Sequence, residues 1–246
     1  MTRTAAAEGL ALAGIDGVSR ANNHSMNFGI QGMRDASAAL ERVGIRGFGI
    51  GKSLSEAREP AVFTVRGLRL AFLGYDGITG STDGATAQTG GTAPLDADLL
   101  VEDIAAAQKV ADIVIPFIHW GVEYTLTPTA EQRSIAYRAV EAGAAVVIGS
   151  HPHWVQGMEV YRGVPILYSL ANFVFDQDWS EETKQGVVAR LVFHGRRLAG
   201  IPLTPLLSED YYQPRFTDGA ARYVVLDRFW TSSTEIAAMP APAPGA

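Results

Sequence analysis

The sequence predicts an α/β fold in which helices alternate with the strands of a mixed sheet. Two observations support this prediction: segments with helical periodicity alternate with short apolar strand patterns, and tight turns join some strands into antiparallel hairpins. The chain has 246 residues, of which 47% are hydrophobic, so it has enough apolar material for a sizeable core. This composition excludes general disorder.

Two helices and a hairpin are the clearest elements of the first half. An Ala-rich segment before Gly14 predicts a helix over 4–13, because glycine commonly ends a helix. Apolar residues on one face predict a second helix over 30–43, which Gly44 ends. The other predicted elements are a strand at 15–20, hairpin strands at 61–65 and 68–75, a loop at 79–92, a helix at 95–111 and a buried strand at 113–118.

Strand patterns dominate the second half of the chain. We predict a helix at 129–142 and strands at 145–148, 164–169, 187–193 and 198–206. The segment from Ser208 onward is predicted to be irregular, and the Pro/Ala-rich end from about residue 239 to be a disordered tail. The predicted domain therefore covers residues 1–207, and 208–246 forms a carboxy-terminal extension of it.

Charge and composition exclude several classes of function. A formal charge of −6 disfavours an extended contact with a nucleic-acid backbone, so we predict no nucleic-acid partner. The absence of cysteine removes disulfides, thiolate metal ligands and cysteine nucleophiles. No apolar run approaches the roughly 18 residues of a membrane helix. Glu8 interrupts the apolar start of the chain, so we predict no targeting signal.

Histidines mark the ends of predicted strands. Four of the five, His24, His119, His151 and His153, follow a predicted strand directly or within a few residues. In α/β folds the loops at the carboxyl ends of strands collect functional side chains. The fifth, His194, lies in a turn without acidic or histidine neighbours, and a solvated turn residue is the favoured interpretation.

The His-Pro-His segment at 151–153 predicts metal binding. Two histidines at i and i+2 in an extended backbone project to the same side, and neutral imidazole is the commonest protein metal ligand. The alternative for this segment alone is a pair of hydrogen-bonded surface histidines. His119 and Asn23 at other strand ends weaken that alternative, since an amide oxygen suits Mn, Fe or Zn beside imidazole.

Three further residues lie next to these histidines in the sequence. Glu123 is either an acid that orients a histidine ligand or a surface acid, and the sequence does not separate the two. Trp120 and Trp154 directly follow histidines. Core packing is favoured for both tryptophans over a role in walling the site, because tryptophan is usually largely buried.

Four motifs together resemble those of a known family. They are Ala-Asn-Asn-His at 21–24, His-Trp-Gly-Val-Glu-Tyr at 119–124, Gly-Ser-His-Pro-His at 149–153 and Tyr-Ser-Leu-Ala-Asn-Phe at 168–173. In this order and spacing they resemble the CapA family of bacterial capsule and poly-gamma-glutamate synthesis proteins, within the calcineurin-like metallophosphoesterase superfamily. The resemblance covers roughly residues 5–230 and implies a four-layer α/β/β/α sandwich with a two-metal site at the strand ends.

The resemblance also implies roles for single residues. Asn23, His119 and His151 match the ligands of one divalent metal ion, and His153 matches a ligand of the other. His24 matches the catalytic histidine that assists at the leaving group or the phosphate. The ions of the complete scaffold would be Mn, Fe or Zn.

The resemblance also implies neighbours of the metal ligands, and three residues of this sequence differ from the family pattern. Glu123 and Asn172 would lie beside the metal ligands or on the substrate side. Asn27 stands where family members usually have Asp, Arg20 occupies a usually apolar position, and Ala171 replaces a usual Gly.

Two carboxylate motifs of the superfamily are missing from this sequence. The chain begins at a predicted helix and contains neither the Asp-x-His nor the Gly-Asp-x-x-Asp motif, which in the superfamily precede the Asn-His element. We therefore expect a domain truncated at its amino end, with the first strands of the sheet missing. Such a site would hold at most one divalent ion, and weakly, because no carboxylate would offset its charge.

These observations lead to two hypotheses of function. The first is a metal-dependent phosphoesterase-like hydrolase of the CapA type in capsule or poly-gamma-glutamate biosynthesis, with an anionic polymer or a phosphoester as substrate and other capsule-synthesis proteins as partners. The alternative is a non-catalytic polymer-binding or assembly protein that keeps the fold without a complete two-metal site. A different metal-assisted reaction also stays open, since a fold does not determine chemistry. The resemblance suggests a location in the cell envelope, exported or membrane-anchored.

Overall fold

The computed structural model describes residues 5–242, which fall into two units that divide between His119 and Trp120. The helices of the first unit are α1 (Ala5–Leu12), α2 (Gly29–Arg42), α3 (Leu54–Ala57), α4 (Gly80–Asp83) and α5 (Ala97–Ala107). Its strands are β1 (Gly17–Ser19), β2 (Arg46–Phe48), β3 (Ile50–Gly51), β4 (Ala61–Val65), β5 (Leu68–Asp76), β6 (Gly91–Thr92) and β7 (Ile113–His119).

The strand β5 organises the first unit. It pairs antiparallel with β4 through the predicted hairpin and parallel with β7, in a register that places Asp76 opposite His119. Two shorter pairs complete this unit, β1 parallel to β2 and β3 antiparallel to β6. The side chains of Leu100 and Ile104 on α5 are fully buried, as are those of Leu73 and Ile115 on the sheet. His119 therefore stands at the carboxyl end of a buried parallel strand.

The second unit contains the remaining three helices and eight strands of the described residues. The helices are α6 (Ala130–Glu141), α7 (Glu181–Lys184) and α8 (Gly219–Ala238). The strands are β8 (Val147–Ser150), β9 (Val155–Tyr161), β10 (Val164–Leu170), β11 (Gln185–Ala189), β12 (Val192–His194), β13 (Arg197–Gly200), β14 (Leu203–Glu209) and β15 (Gln213–Phe216).

Parallel and antiparallel pairs also occur together in the second unit. The strand β10 is parallel to β8 and antiparallel to β9, while β11, β14 and β15 form an antiparallel sheet. A capping box of Thr129 and Gln132 begins α6, because each side chain bonds to the other residue's backbone N–H. The predicted α/β fold with a mixed sheet is confirmed.

The prediction of an irregular segment from Ser208 onward is wrong. Residues 213–216 form β15, and α8 runs for 20 residues with Val225, Phe229, Ser232 and Ile236 buried. The helix was missed because its buried face includes a serine. Ser232 Oγ accepts a hydrogen bond from the backbone of β9 and donates one to the backbone of Leu126, a role that appears only in the tertiary structure.

Two predicted strands are each divided into two strands in the structure. The strand predicted at 187–193 divides between β11 and β12, and the one at 198–206 divides between β13 and β14 around Pro202, which has no N–H to give a sheet. The predicted helix start at residue 4 and the tail residues 243–246 lie outside the described residues. No helix in residues 5–242 combines the length and apolar character needed to cross a membrane. The boundary at residue 207 stays a prediction.

A half-buried acid ties α6 to the sheet of the second unit. Glu159 on β9 accepts hydrogen bonds from Arg133 and Tyr137 of α6 and from Tyr168 of β10. The Arg133 side chain is only 4% exposed, and it also donates to the backbone oxygen of Pro240. Burial raises the pKa of Glu159, but the bonds from Arg133, Tyr137 and Tyr168 outweigh it, so this pKa lies below its ordinary value.

Replacing this acid is expected to destabilise the protein. Glu159→Ala leaves the buried Arg133 without its counter-charge, which typically costs about 3–5 kcal/mol of unfolding free energy. The matched control is Glu141→Ala, because Glu141 also pairs with an arginine and a tyrosine but lies at the surface. The control should cost about 0–1 kcal/mol. Urea unfolding of the variants measures both, and equal losses would contradict the structural role of Glu159.

The lowered pKa of Glu159 predicts that the stability of the protein depends on pH. Because the folded-state pKa of Glu159 is lowered, its contribution to stability is present above the unfolded-state pKa and is lost as pH falls through the folded-state pKa. The difference in stability between the wild-type protein and Glu159→Ala should therefore shrink in acid. Urea midpoints at neutral and acidic pH measure it.

Candidate metal centre

Asn23 and His119 meet in the first unit. Asn23 lies shortly after β1, and its Oδ1 is 3.0 Å from Nε2 of His119 at the end of β7. An amide oxygen only accepts, so His119 carries a proton on Nε2 in this arrangement. A metal ion held by both residues would have to take the place of that proton. Two of the predicted ligands are thus neighbours, and their sharing of one ion with His151 stays a prediction.

His24 is an exposed residue with a defined setting. Its backbone N–H donates to Asn22 Oδ1 at 2.9 Å, and its ring Nδ1 lies 3.1 Å from Nδ2 of Asn27. With the Asn27 amide donating to Nδ1, neutral His24 carries its proton on Nε2. The departure at residue 27 therefore touches the predicted catalytic histidine directly. Its catalytic role remains a prediction.

The segment that carries the other two histidines is a turn. The prediction of an extended His-Pro-His segment is wrong, since β8 ends at Ser150 and both histidines have positive φ angles, 102° for His151 and 59° for His153. Gly149 has no space for a side chain, because a Cβ there would lie 2.1 Å from the Tyr168 backbone oxygen. The rings of the two histidines are 5.9 Å apart because of this turn. Such backbone strain is concentrated at functional sites.

A second turn brings Glu123 to these histidines. Gly121 has a φ of 90°, and the backbone N–H of Tyr124 donates to the Pro152 oxygen at 2.9 Å. Glu123 Oε1 then lies 4.0 Å from His153 Nε2. One ligand atom each of Glu123, His151 and His153 falls within 4.8 Å of the others. Within residues 5–242 no other three or more such side chains gather this closely.

Asn172 determines which way the His153 ring is oriented. Its Nδ2 donates to the backbone oxygen of Thr183 at 2.9 Å and to Gln177 Oε1 at 3.2 Å, so its Oδ1 is the atom that faces His153 Nδ1 at 2.8 Å. The Nδ1 proton of His153 therefore donates to Asn172. Nε2 keeps its lone pair on the side of Glu123. Partners of this kind orient metal-binding histidines.

Aromatic side chains that the sequence did not single out surround His153. Tyr124 stacks on its ring at 6.0 Å, Phe175 lies 5.1 Å away, and Trp179 meets Tyr124 edge-on. Tyr124 ends the motif at 119–124, and Phe175 and Trp179 closely follow the motif at 168–173. This closeness to the motifs was the sequence signal that could have selected the three aromatic residues. By contrast Trp120 is 1% exposed and stacks on Tyr168, so its predicted core role is confirmed.

Trp154 and Ala171 also have defined settings. Trp154 is half-buried beneath the guanidinium of Arg228. Ala171 has a φ of 59°, a conformation that costs a non-glycine residue roughly 1–2 kcal/mol. The usual glycine at this position would avoid that strain.

The donors of Glu123, His151 and His153 fit a divalent ion. Two imidazoles and one carboxylate are a common ligand set for zinc and also suit iron and manganese. Zinc bonds of about 2.1 Å in a tetrahedron place donors ~3.4 Å apart. The donor atoms lie within 4.8 Å of one another, so small side-chain movements would suffice. The prearranged lone pair of His153 is the feature that such a site requires.

The fold is that of metallophosphoesterase-type nucleotidases. The 5'-nucleotidase precursor from Thermus thermophilus superposes with a TM-score of 0.57 at 14% identity, over 95% of this chain and 46% of that one. The sulfate thiohydrolase SoxB of Thermus thermophilus gives 0.56 at 14% identity, over 92% and 38%. The predicted metallophosphoesterase type is confirmed at the level of the fold.

Sequence comparison identifies the family of the chain within this fold class. The model of the family "Bacterial capsule synthesis protein PGA_cap" matches residues 1–177, and the chain belongs to this family. The PGA biosynthesis protein CapA of Bacillus subtilis is 39% identical over 169 residues, 68% of this chain and 44% of the relative. The capsule biosynthesis protein CapA of Bacillus anthracis is 32% identical, over 79% and 48%. The chain thus spans about half the length of these relatives.

Proposed function

We propose that this chain binds one divalent metal ion through Glu123, His151 and His153 and acts as a phosphoesterase-type hydrolase in capsule or poly-gamma-glutamate synthesis. The observation that carries the proposal is the convergence of these three donors within 4.8 Å. One of them, His153, already has the lone pair of its Nε2 oriented, because its Nδ1 bonds to Asn172. Membership in the capsule synthesis family supplies the biological setting.

The protein residues divide the work at this site. The carboxylate of Glu123 offsets one of the two charges of the ion, and Asn172 keeps the His153 ring in the ligating tautomer. When bound, the ion would polarise a phosphoryl or carbonyl oxygen as a Lewis acid. The family resemblance assigns His24 the role of the acid: as an imidazolium, with the Asn27 amide turned so that its oxygen accepts from Nδ1–H, it would give its Nε2 proton to the leaving oxygen.

The substrate and partners we propose follow from relatives and charge. A probable polyglutamine synthesis accessory protein of Mycobacterium tuberculosis is 32% identical over 64% of this chain, so other synthesis proteins are the partners we propose. A divalent ion favours an anionic substrate, either a phosphoester or the anionic polymer itself. Nothing in the three donors selects between these two substrates.

A second candidate function is a non-catalytic polymer-binding or assembly role. The observation in its favour is that one set of three donors gathers within residues 5–242, which fits a single ion and not a pair. In this role the ion would hold a carboxylate or phosphate of the polymer without turning it over.

We expect at most one tightly bound divalent ion per chain. Within residues 5–242 one set of three donors comes together, while Asn23 and His119 offer two. Equilibrium dialysis with Mn²⁺ or Zn²⁺ followed by elemental analysis measures the stoichiometry. Two tightly held ions would contradict the proposed site.

A turnover assay separates the two candidate functions. Nitrophenyl phosphate and bis-nitrophenyl phosphate are offered to the protein with and without the ion, and Glu123→Gln serves as the variant that loses the carboxylate. Turnover that requires both the ion and Glu123 supports the hydrolase. Binding of one ion without turnover supports the second candidate, and a protein that binds no ion contradicts both.

A further inference from the structure

Gln177 occupies a buried position between two groups that hold the proposed metal ligands. The residue is 8% exposed and lies in the loop before α7. Its Oε1 accepts from Asn172 Nδ2 at 3.2 Å, and its Nε2 donates to the Tyr124 hydroxyl at 3.4 Å. Its backbone oxygen accepts from the Thr183 hydroxyl at 2.8 Å, which holds the loop in place. Both ends of one side-chain amide are therefore used.

The direction of these hydrogen bonds follows from a single backbone carbonyl. The Thr183 oxygen can only accept, so Asn172 Nδ2 faces it and also donates to Gln177 Oε1. That contact turns the Gln177 amide so that its Nε2 donates to Tyr124. The Tyr124 oxygen then accepts, which leaves its own proton for another acceptor.

Tyr124 directly follows Glu123 in the chain, and its backbone N–H donates to the oxygen of Pro152, between the two histidines. Its ring stacks on that of His153 at 6.0 Å. On the other side of Gln177, Asn172 Oδ1 accepts from His153. The hydrogen bonds of Gln177 thus lead on one side to the residue that follows the carboxylate ligand and on the other, through Asn172, to the imidazole ligand.

We propose that Gln177 is a positioning residue that sets the spacing and orientation of Glu123 and His153 as a pair of metal ligands. This inference rests on the proposed metal site. Without the amide, Asn172 loses an acceptor and Tyr124 loses a donor, so the imidazole and the segment that carries the carboxylate are no longer joined through one side chain. Residues that support metal ligands in this way typically contribute roughly 10–100-fold to metal affinity.

The test compares Gln177→Leu with a matched control. Gln185→Leu removes another buried glutamine of the same unit, whose Oε1 accepts from Arg228 and not from a residue of this chain of hydrogen bonds. Co²⁺ is the probe, because its visible absorption reports the geometry of its ligands. We expect Gln177→Leu to lower Co²⁺ affinity roughly 10-fold and to change the spectrum. Gln185→Leu should leave both unchanged, even where it lowers stability.

A double-mutant cycle with Tyr124→Phe locates the path of the effect. Phenylalanine keeps the ring that stacks on His153 but loses the hydroxyl that accepts from Gln177. If Gln177 acts partly through that hydroxyl, the double variant should lose less Co²⁺ affinity than the two single variants together. Wild-type Co²⁺ affinity and spectrum in Gln177→Leu, or an equal change in Gln185→Leu, would overturn the proposal.

A measurement on the metal-free protein separates this inference from the proposed function. Histidine ¹⁵N NMR, with His153→Gln to identify the resonances, reports which ring nitrogen of His153 carries the proton. The wild-type protein should show the Nδ1–H tautomer, and Gln177→Leu should show a mixture. An unchanged His153 spectrum in Gln177→Leu would overturn the role of Gln177. If the wild-type protein binds no metal, the proposed function fails, while the NMR result still decides whether Gln177 positions His153.

Discussion

His151→Ala is expected to lower the affinity for a divalent ion by more than the roughly 100-fold that removal of a supporting residue can cost. His151 is the buried member of the three donors, whereas the Glu123 side chain is 42% exposed. Its loss leaves two ligands, one of them exposed at the surface. Equilibrium dialysis with Zn²⁺ or Mn²⁺ measures the affinity directly.

Thermal unfolding gives an independent measurement of the same prediction. An ion at 100 times its dissociation constant stabilises the folded state by about 2.7 kcal/mol, and this gain should disappear in His151→Ala. The control is His194→Ala, since His194 is the last residue of β12 and does not belong to the three converging donors. Retention of metal-dependent stabilisation in His151→Ala would remove His151 from the ligand set.

His24→Ala is expected to leave metal binding unchanged and to lower phosphoesterase turnover by roughly 10²–10⁴-fold, the usual contribution of a positioned general acid. His24 is not among the three converging donors, and Asn27 contacts its Nδ1, so Nε2 is the nitrogen from which an imidazolium would give its proton. Turnover of alkyl and nitrophenyl phosphates, measured beside metal content, tests both parts.

The leaving group provides the sharpest control for this role. Nitrophenolate leaves readily without a proton, so the loss on His24→Ala should be smallest for nitrophenyl phosphate and largest for alkyl esters. A general structural defect would lower turnover of both esters equally. Loss of metal in His24→Ala, or the same loss of turnover for every ester, would show that His24 does not act as the acid.

Much of the fold was accessible from the sequence because it rests on local patterns. Short apolar strand patterns and helical periodicity predicted β4, β5, β7 and α6 closely. A glycine also predicted the end of α2 correctly. The two-residue strands β3 and β6 were not accessible, because each exists only through pairing with the other, about 40 residues apart in the chain.

The candidate site, like the fold, could be predicted only in part from the sequence. Residue type and spacing were sufficient to select His119, His151 and His153 as metal-binding candidates and to predict their positions near strand ends. The sequence left Glu123 undecided between an orienting acid and a surface acid. Only the tertiary structure brings its carboxylate to the two histidines, through a backbone hydrogen bond between Tyr124 and Pro152.

The sequence by itself therefore determined the fold class and the family, and it selected the candidate ligands. The tertiary structure decided the turn at 151–153, the tautomer of His153 and the hydrogen bonds of Gln177. The physical reason is that burial patterns are local, whereas the orientation of a side chain in a loop depends on partners far along the chain. For His153 that partner is Asn172, whose own orientation is set by the backbone oxygen of Thr183.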